Sequence, residues 1–244
     1  MTMDGVSGAG AFSQATGRAP GEEAGAGMPR YRRFQHDLIA PHCGRSVLEV
    51  GAGLGEFAEQ LRGLDRLVVS DVDPEAVAVL RRRFADRPEV EVARMDVERG
   101  LVLDRPVETV ITINTLEHIE DDAEALRSLA RLVEPGGNVV AFVPGYEQLY
   151  GDFDRRVGHV RRYTPATLRA SFTAAGLEPT TVRPVNLLGG LAWWLAVRRG
   201  GAGSPDPRLV AVYDRVVVPV TRAIEGVVRV PFGQSVLGVA RALG

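Results

Sequence analysis

Between Ser46 and Val143 the chain alternates short apolar runs with helical stretches, and that rhythm limits the available folds more than any other feature. Ser46 to Val50, Arg66 to Ser70, Val90 to Ala93, Val107 to Ile113 and Asn138 to Val143 read as five strands rich in valine, leucine and isoleucine. Strands of this kind are buried on both faces, as in a parallel sheet covered by helices on each side. Helical patterns fill the gaps. One follows a glycine-rich turn and is expected to run to about Arg62. The next opens at Pro74, where proline is well tolerated, and runs to about Ala85. A third starts at Asp121 and Glu124, which resemble a capping box. It offers Leu126, Leu129 and Leu132 to a core and is expected to stop at Pro135-Gly136-Gly137.

The flanks complete the plan. Tyr31 to Ile39 is helical, with Phe34 and Leu38 four apart, and Pro41 ends it. Residues 144–164 read as a polar, aromatic and arginine-containing loop. Thr164-Pro165 opens a helix that ends at Gly176, and Thr180 to Val185 is a sixth strand. About residues 187–230 form a helical insertion, with a Gly/Ser/Pro linker near 200–207 and a break expected at Pro219. Ser235 to Ala240 is the last strand. The expected fold is α/β: a doubly wound, mostly parallel seven-stranded sheet, Rossmann-like, with a helical insertion before the last strand. Residues 29–244 form that domain. Residues 1–28, rich in Gly, Ala and Ser, read as a disordered tail, with Met28 as a candidate start.

Composition excludes several function classes. The net charge of −2 over 244 residues offers no broad basic field, so no nucleic-acid partner is expected. A lone Cys43 makes neither an intrachain disulfide nor a cysteine-rich zinc site, and fits a reducing cytoplasm. No apolar run reaches the ~18 residues of a membrane span, and no secretory leader is visible. All 29 basic residues are arginine. Without lysine there is no P-loop lysine and no Schiff base.

The chemistry-bearing signal begins at Val47-Leu48-Glu49-Val50-Gly51-Ala52-Gly53-Leu54-Gly55. It sits at the first strand-to-helix turn, where ligands of doubly wound sheets bind. Glycines there let a ligand lie against bare backbone. The spacing is G-x-G-x-G, not the G-x-G-x-x-G of dinucleotide folds. Asp71 ends the second strand about twenty residues on, where an acid can accept both hydroxyls of a ribose. Asp73, before Pro74, reads as a helix cap.

LEVGAGLGEF, VVSDVDPEAV, ARMDVERG, NTLEHIEDD and VEPGG, in this order at successive strand ends, resemble the class I S-adenosylmethionine-dependent methyltransferases. The resemblance covers about residues 31–185 and implies S-adenosylmethionine as cofactor. It implies that Glu49 and the Gly51-Ala52-Gly53 backbone meet the methionine end and the ribose. Asp71 would hold the ribose hydroxyls with Val72 against the adenine. Asp96 would accept from the adenine amino group, flanked by Met95 and Val97. Asn114, Thr115 and Leu116 would close over the sulfonium side.

Methyl transfer to oxygen or nitrogen asks the protein to align the acceptor and often to remove a proton. Glu117 and His118 are the candidate bases at the fourth strand's end. NTLEHI partly resembles the ubiquinone-pathway O-methyltransferases, in which acids beside a Glu-His pair can hold a divalent metal. Asn114 stands in the place of one such acid, and no metal is expected here. A G-H-x-R-R-Y segment after strand five, and the N-terminal RYRRF, resemble one branch of these enzymes. Tyr31, Tyr150 and His159 could face the acceptor, His159 also as a catalytic group. Arg161, Arg162 and Tyr163 are further acceptor contacts, the arginines suited to a carboxylate or phosphate. The alternative is that Asp152, Asp154 and the arginines satisfy one another within the loop.

Trp193-Trp194 reads first as core packing. A lid over the acceptor, a dimer face or a membrane-surface patch are the other readings. The expected activity is methylation of a small molecule in bacterial secondary or cell-envelope metabolism, by a monomer or homodimer. The rivals are a catalytically silent cofactor-binding or scaffold protein of the same fold and a nicotinamide-dependent oxidoreductase.

Overall fold

The computed structural model describes residues 28–100, 102–198 and 207–243. The expected tail, apart from Met28, and most of the Gly/Ser/Pro linker lie outside the described residues. The elements in chain order are α1 (Pro29–Ile39), β1 (Ser46–Val50), β2 (Arg66–Asp71), α2 (Pro74–Arg83), β3 (Val90–Arg94) and β4 (Val107–Ile113). Then come α3 (Asp122–Ala130), β5 (Val133–Pro144), α4 (Asp152–Val157), α5 (Pro165–Ala174) and β6 (Leu177–Val185). The last are α6 (Leu187–Arg198), α7 (Pro207–Val212), α8 (Val218–Glu225) and β7 (Ser235–Ala242).

Seven strands form one sheet in the order β3-β2-β1-β4-β5-β7-β6. The neighbours from β3 to β5 are parallel, and β7 runs antiparallel to both β5 and β6. The order reverses between β1 and β4, which opens a crevice at their carboxyl ends. Apolar side chains alternate between the faces. Leu48 and Val110 pack with Leu126 and Leu129 of α3 and Phe172 of α5 on one side. Val47, Leu67 and Ile111 pack with Phe34 of α1, Leu80 of α2 and Val218 of α8 on the other. Burying one such side chain contributes about 1.5–3 kcal/mol. No helix among the described residues is long and apolar enough to cross a membrane.

Three local expectations are corrected. The helix expected after the glycine turn is absent. The chain passes through turns to a single 3₁₀ turn at Ala58–Gln60. Side chains from beyond that turn bind carbonyls of this segment: Arg83 donates to Leu54 O at 3.0 Å and Arg87 to Leu61 O at 2.9 Å. Next, α3 ends at Ala130, and Pro135-Gly136-Gly137 lies inside β5. A β-carbon on Gly137 would stand 2.5 Å from Glu108 O, so glycine permits the close approach of β4 and β5 there. Lastly, the break ascribed to Pro219 is a π turn over Tyr213–Val217, just ahead of α8. Proline lacks the N–H that would continue the ladder.

Candidate active site

The donor side of the crevice is built from the turn after β1. Gly51, Gly53 and Gly55 have φ of 71°, 54° and 76°, a left-handed backbone that side chains disfavour. The place of a Gly51 β-carbon is filled by Thr115, whose Cγ2 would be 2.9 Å away and whose Oγ1 would be closer still. Thus the turns after β1 and β4 touch at Thr115. Asp71, at the end of β2, accepts the Gly53 N–H on Oδ2 at 2.8 Å and the Asp73 N–H on Oδ1 at 2.9 Å. Desolvation is the largest influence on its carboxyl and pushes its pKa up, against the pull of the two N–H groups. Asp73 caps α2 as expected, accepting from Glu75 N.

The other donor-side residues fall into two groups. Asp96 follows β3, with Met95 N–H bonded to Asp71 O at 3.1 Å, so it stands beside Asp71 along the same sheet end. Its Oδ1 accepts from Glu98 N and its Oδ2 is 3.3 Å from Arg99. Ala52, Val72, Asp96 and Val97 are half-buried, and Asn114, at φ 50°, is exposed. Glu49 is buried on the Val47 face of β1. Met95 and Leu116 belong to the core under the sheet. Leu116, at 1% exposure, does not close over the sulfonium side as the sequence suggested; its apolar side chain is used in packing.

The acceptor side joins two segments far apart in sequence. Glu117 and His118 lie on the 3₁₀ turn Leu116–His118 after β4. His159 follows α4, which Gly158 ends at φ 80°. A backbone bond from Val160 N to Glu117 O at 2.8 Å ties the two together. One ligand-capable atom from each of Glu117, His118 and His159 falls within 4.8 Å of the others. The two imidazole rings meet edge to face, 4.8 Å between centroids.

Each ring is held through Nδ1. His159 Nδ1 donates to Asp154 Oδ1 at 2.7 Å, and His118 Nδ1 to Gly158 O at 3.2 Å. His159 Nε2 is left facing Glu117 Oε1 at 3.7 Å. Glu117 is fully buried, and neither of its carboxyl oxygens has a hydrogen bond. That burial pushes its pKa up to about 8. Desolvation, and then the neighbouring His159, hold His118 down at about 4 although part of the ring reaches solvent. Asp154 moves the other way. Burial alone would raise it, but His159 and Arg162 together keep it below the ordinary aspartate range.

Both arginines of the G-H-x-R-R-Y segment pair within the protein, as the alternative reading had it, Arg162 buried and Arg161 still 30% exposed. Arg162 pairs with Asp154 through Nε at 2.8 Å and through a terminal nitrogen at 3.0 Å, and donates to Gly145 O. Its side chain is 4% exposed, so it has no surface for an acceptor. Arg161 donates to Glu120 O at 2.6 Å and pairs with Asp122 at 3.3 Å. Tyr163 is buried and donates to Asp122 Oδ2 at 2.9 Å. Tyr150 donates to His159 O at 2.6 Å and supports that turn. Tyr31, held at Ser235 and Asn186 by its hydroxyl, is pushed up to about 12 by burial. Asp154 is the anchor whose individual importance the sequence left undivided; its place five residues before His159 was the available signal. Trp193 is half-buried and donates to Leu149 O at 2.9 Å, which places it in packing.

Residues 24–182 match a family profile described as a methyltransferase domain. A probable S-adenosylmethionine-dependent methyltransferase of Mycolicibacterium smegmatis is 30% identical over 183 residues, 70% of this chain and 68% of that protein. Another, from Mycobacterium tuberculosis, is 31% identical over 58% of this chain and 55% of its own length. The chain spans about half the length of the first curated relatives it matches. Among solved structures, the N-methyltransferase NodS of Bradyrhizobium japonicum with S-adenosyl-L-homocysteine superposes at a TM-score of 0.60. It shares 16% identity, over 95% of this chain and 98% of that one, a likeness of fold.

Proposed function

The chain belongs to the family of S-adenosylmethionine-dependent methyltransferases, and from that membership we propose that it methylates an oxygen or nitrogen of a small molecule. The setting we propose is bacterial secondary or cell-envelope metabolism, in the cytoplasm and without a nucleic-acid partner. The observation that carries the acceptor assignment is the meeting of Glu117, His118 and His159 at the end of β4. That end lies beside the glycine turn, as the contact of Thr115 with Gly51 records.

The donor pocket fits the cofactor on its own geometry. Each Asp71 oxygen carries one backbone N–H and keeps a lone pair for one of two vicinal hydroxyls. The left-handed glycines leave bare backbone for the methionine end. Asp96 takes the adenine amino group, between Met95 and Val97, and Val72 supplies an apolar surface for the ring. Glu49 sets the strand beneath the turn. Asn114 and Thr115 flank the methyl side. When bound, S-adenosylmethionine supplies a methyl group already activated on a sulfonium.

The chain's remaining work is orientation and proton removal. His159, fixed through Nδ1 by Asp154, offers Nε2 to an acceptor O–H or N–H. His118, fixed by Gly158, offers its Nε2 in the same way. Glu117, buried beside them, is the third candidate base. Tyr150, bonded to the His159 carbonyl, stands beside them. The test is transfer of labelled methyl from S-adenosylmethionine to fractionated bacterial metabolites, alongside calorimetry with S-adenosylhomocysteine. Label in a small molecule supports the reading. Tight cofactor binding with no label in any fraction overturns it in favour of a silent cofactor-binding protein.

A further inference from the structure

Eight of the eleven large apolar side chains exposed among the described residues lie in the insertion between β6 and β7. On α7, the π turn and α8, Leu209 is 66% exposed, Val212 and Val216 56% and Val220 46%. They stand three or four residues apart and so share one side of the helix. The inward side is a different one. Asp214, Val218 and Thr221 are buried there.

A row of cations runs along the same segment. Arg208, Arg215 and Arg222 stand seven residues apart along the helical stretch, Arg229 follows just beyond the end of α8, and all four are exposed. Arg222 pairs with Asp37 of α1 and still keeps 54% of its side chain in solvent. The acids of the segment turn inward. Asp214 accepts the N–H groups of Arg30 and Tyr31 at 3.3 and 2.9 Å, and half-buried Glu225 accepts that of Leu187 at 2.8 Å. The exposed charge of this segment is therefore all positive. On α6, Leu191 and Trp194 extend the apolar surface and line a shallow pocket with Tyr146 and Phe232.

We propose that this face docks on the anionic surface of a lipid bilayer. The aliphatic stripe would enter the boundary between headgroups and acyl chains, with the arginines at the headgroup phosphates. A second copy of the chain fits poorly. A two-fold interface sets a patch against itself, and here it would oppose arginine to arginine with no exposed acid of the segment to relieve them. The docking is separate from the crevice. It can fail while the methyltransferase reading stands, and the reverse.

The experiment is co-sedimentation of the full chain with vesicles of phosphatidylcholine alone or mixed with phosphatidylglycerol, at low and high salt. The expected result is binding to the anionic vesicles, little binding to the neutral ones, and loss of binding at high salt. Arg215→Glu with Arg229→Glu should weaken it at least about twenty-five-fold, about five-fold for each cation removed. Leu209→Ser with Val216→Ser should release the protein even with every arginine present. Both variants should keep the parent affinity for S-adenosylhomocysteine, which reports an intact fold. No sedimentation, equal binding to both vesicle types or unaffected variants would each overturn the proposal. So would a dimer in analytical ultracentrifugation that Val216→Ser dissociates, since the stripe would then be covered by a second copy.

Discussion

The backbone N–H of Gly53 donates to Asp71 Oδ2 across 2.8 Å, joining the turn after β1 to the end of β2. One carboxylate thus fixes the glycine turn, and in the proposed donor pocket its remaining lone pairs are the ones assigned to the ribose. Asp71→Ala should weaken S-adenosylhomocysteine by about 1.5–3 kcal/mol, the range for a hydrogen bond to a charged group. The pH dependence has a definite sign. Burial raises the Asp71 pKa, so acidification protonates it earlier than a free aspartate. Affinity should fall as pH drops through that raised value, and Asp71→Asn should remove this dependence. Calorimetry over a pH series reads both effects, and unchanged affinity in folded Asp71→Ala would sink the assignment.

Gly51 is constrained twice, by a φ of 71° and by Thr115 in the place of its β-carbon. Gly51→Ala should cost about 2–5 kcal/mol, the sum of left-handed strain and overpacking. Thr115→Ala in the same chain should recover the overpacking part and leave the strain. Urea unfolding of the two single variants and the double variant measures that coupling. Additive losses would mean that the two turns do not touch.

The strands, the glycine turn and the acid that ends β2 were legible because their signals are local. Continuous apolar strands, a glycine turn and an acid at the next strand end all lie within short windows of sequence. Asp73 and Asp121 were readable as caps for the same reason, and both accept N–H groups at their helix starts. The missing helix after Gly55 was not legible in its own window, and the contacts that Arg83 and Arg87 make to Leu54 O and Leu61 O come from outside it. The same limit applies to the arginines of the G-H-x-R-R-Y segment. Sequence could place them in the loop, but only the fold shows Arg162 turned onto Asp154 and Arg161 onto Asp122. Pairing by sequence proximity also hid that His159 meets Glu117, 42 positions away in the chain, at 3.7 Å.

Asp154 is fully buried and carries His159, Arg162 and the Gly151 N–H at once. Asp154→Ala should therefore be far worse than loss of a surface ion pair. It leaves the Arg162 guanidinium buried without its carboxylate, at a cost of about 3–5 kcal/mol. Replacing Asp152, whose pair with Arg155 is exposed, should change stability by less than about 1 kcal/mol. Equilibrium unfolding of the two variants side by side makes the comparison, and equal losses would contradict the buried network.

The acceptor side makes a last prediction that separates chemistry from scaffolding. His118 and Arg161 both lie near the end of β4, but they are engaged differently. The His118 ring touches protein through Nδ1 and lies partly in solvent, whereas Arg161 is bound to Glu120 O and Asp122. If His118 removes the acceptor proton, His118→Ala should lower turnover roughly 10²–10⁴-fold. Affinity for S-adenosylhomocysteine should then barely move, because in that role the ring would touch the acceptor rather than the donor. Arg161→Ala should do the opposite. It loosens the loop, so the melting temperature falls, while turnover with a saturating acceptor stays within a few-fold of the parent. Near-normal turnover in His118→Ala with the true acceptor would take that ring out of the mechanism and leave His159, on its Asp154 anchor, as the group that receives the proton.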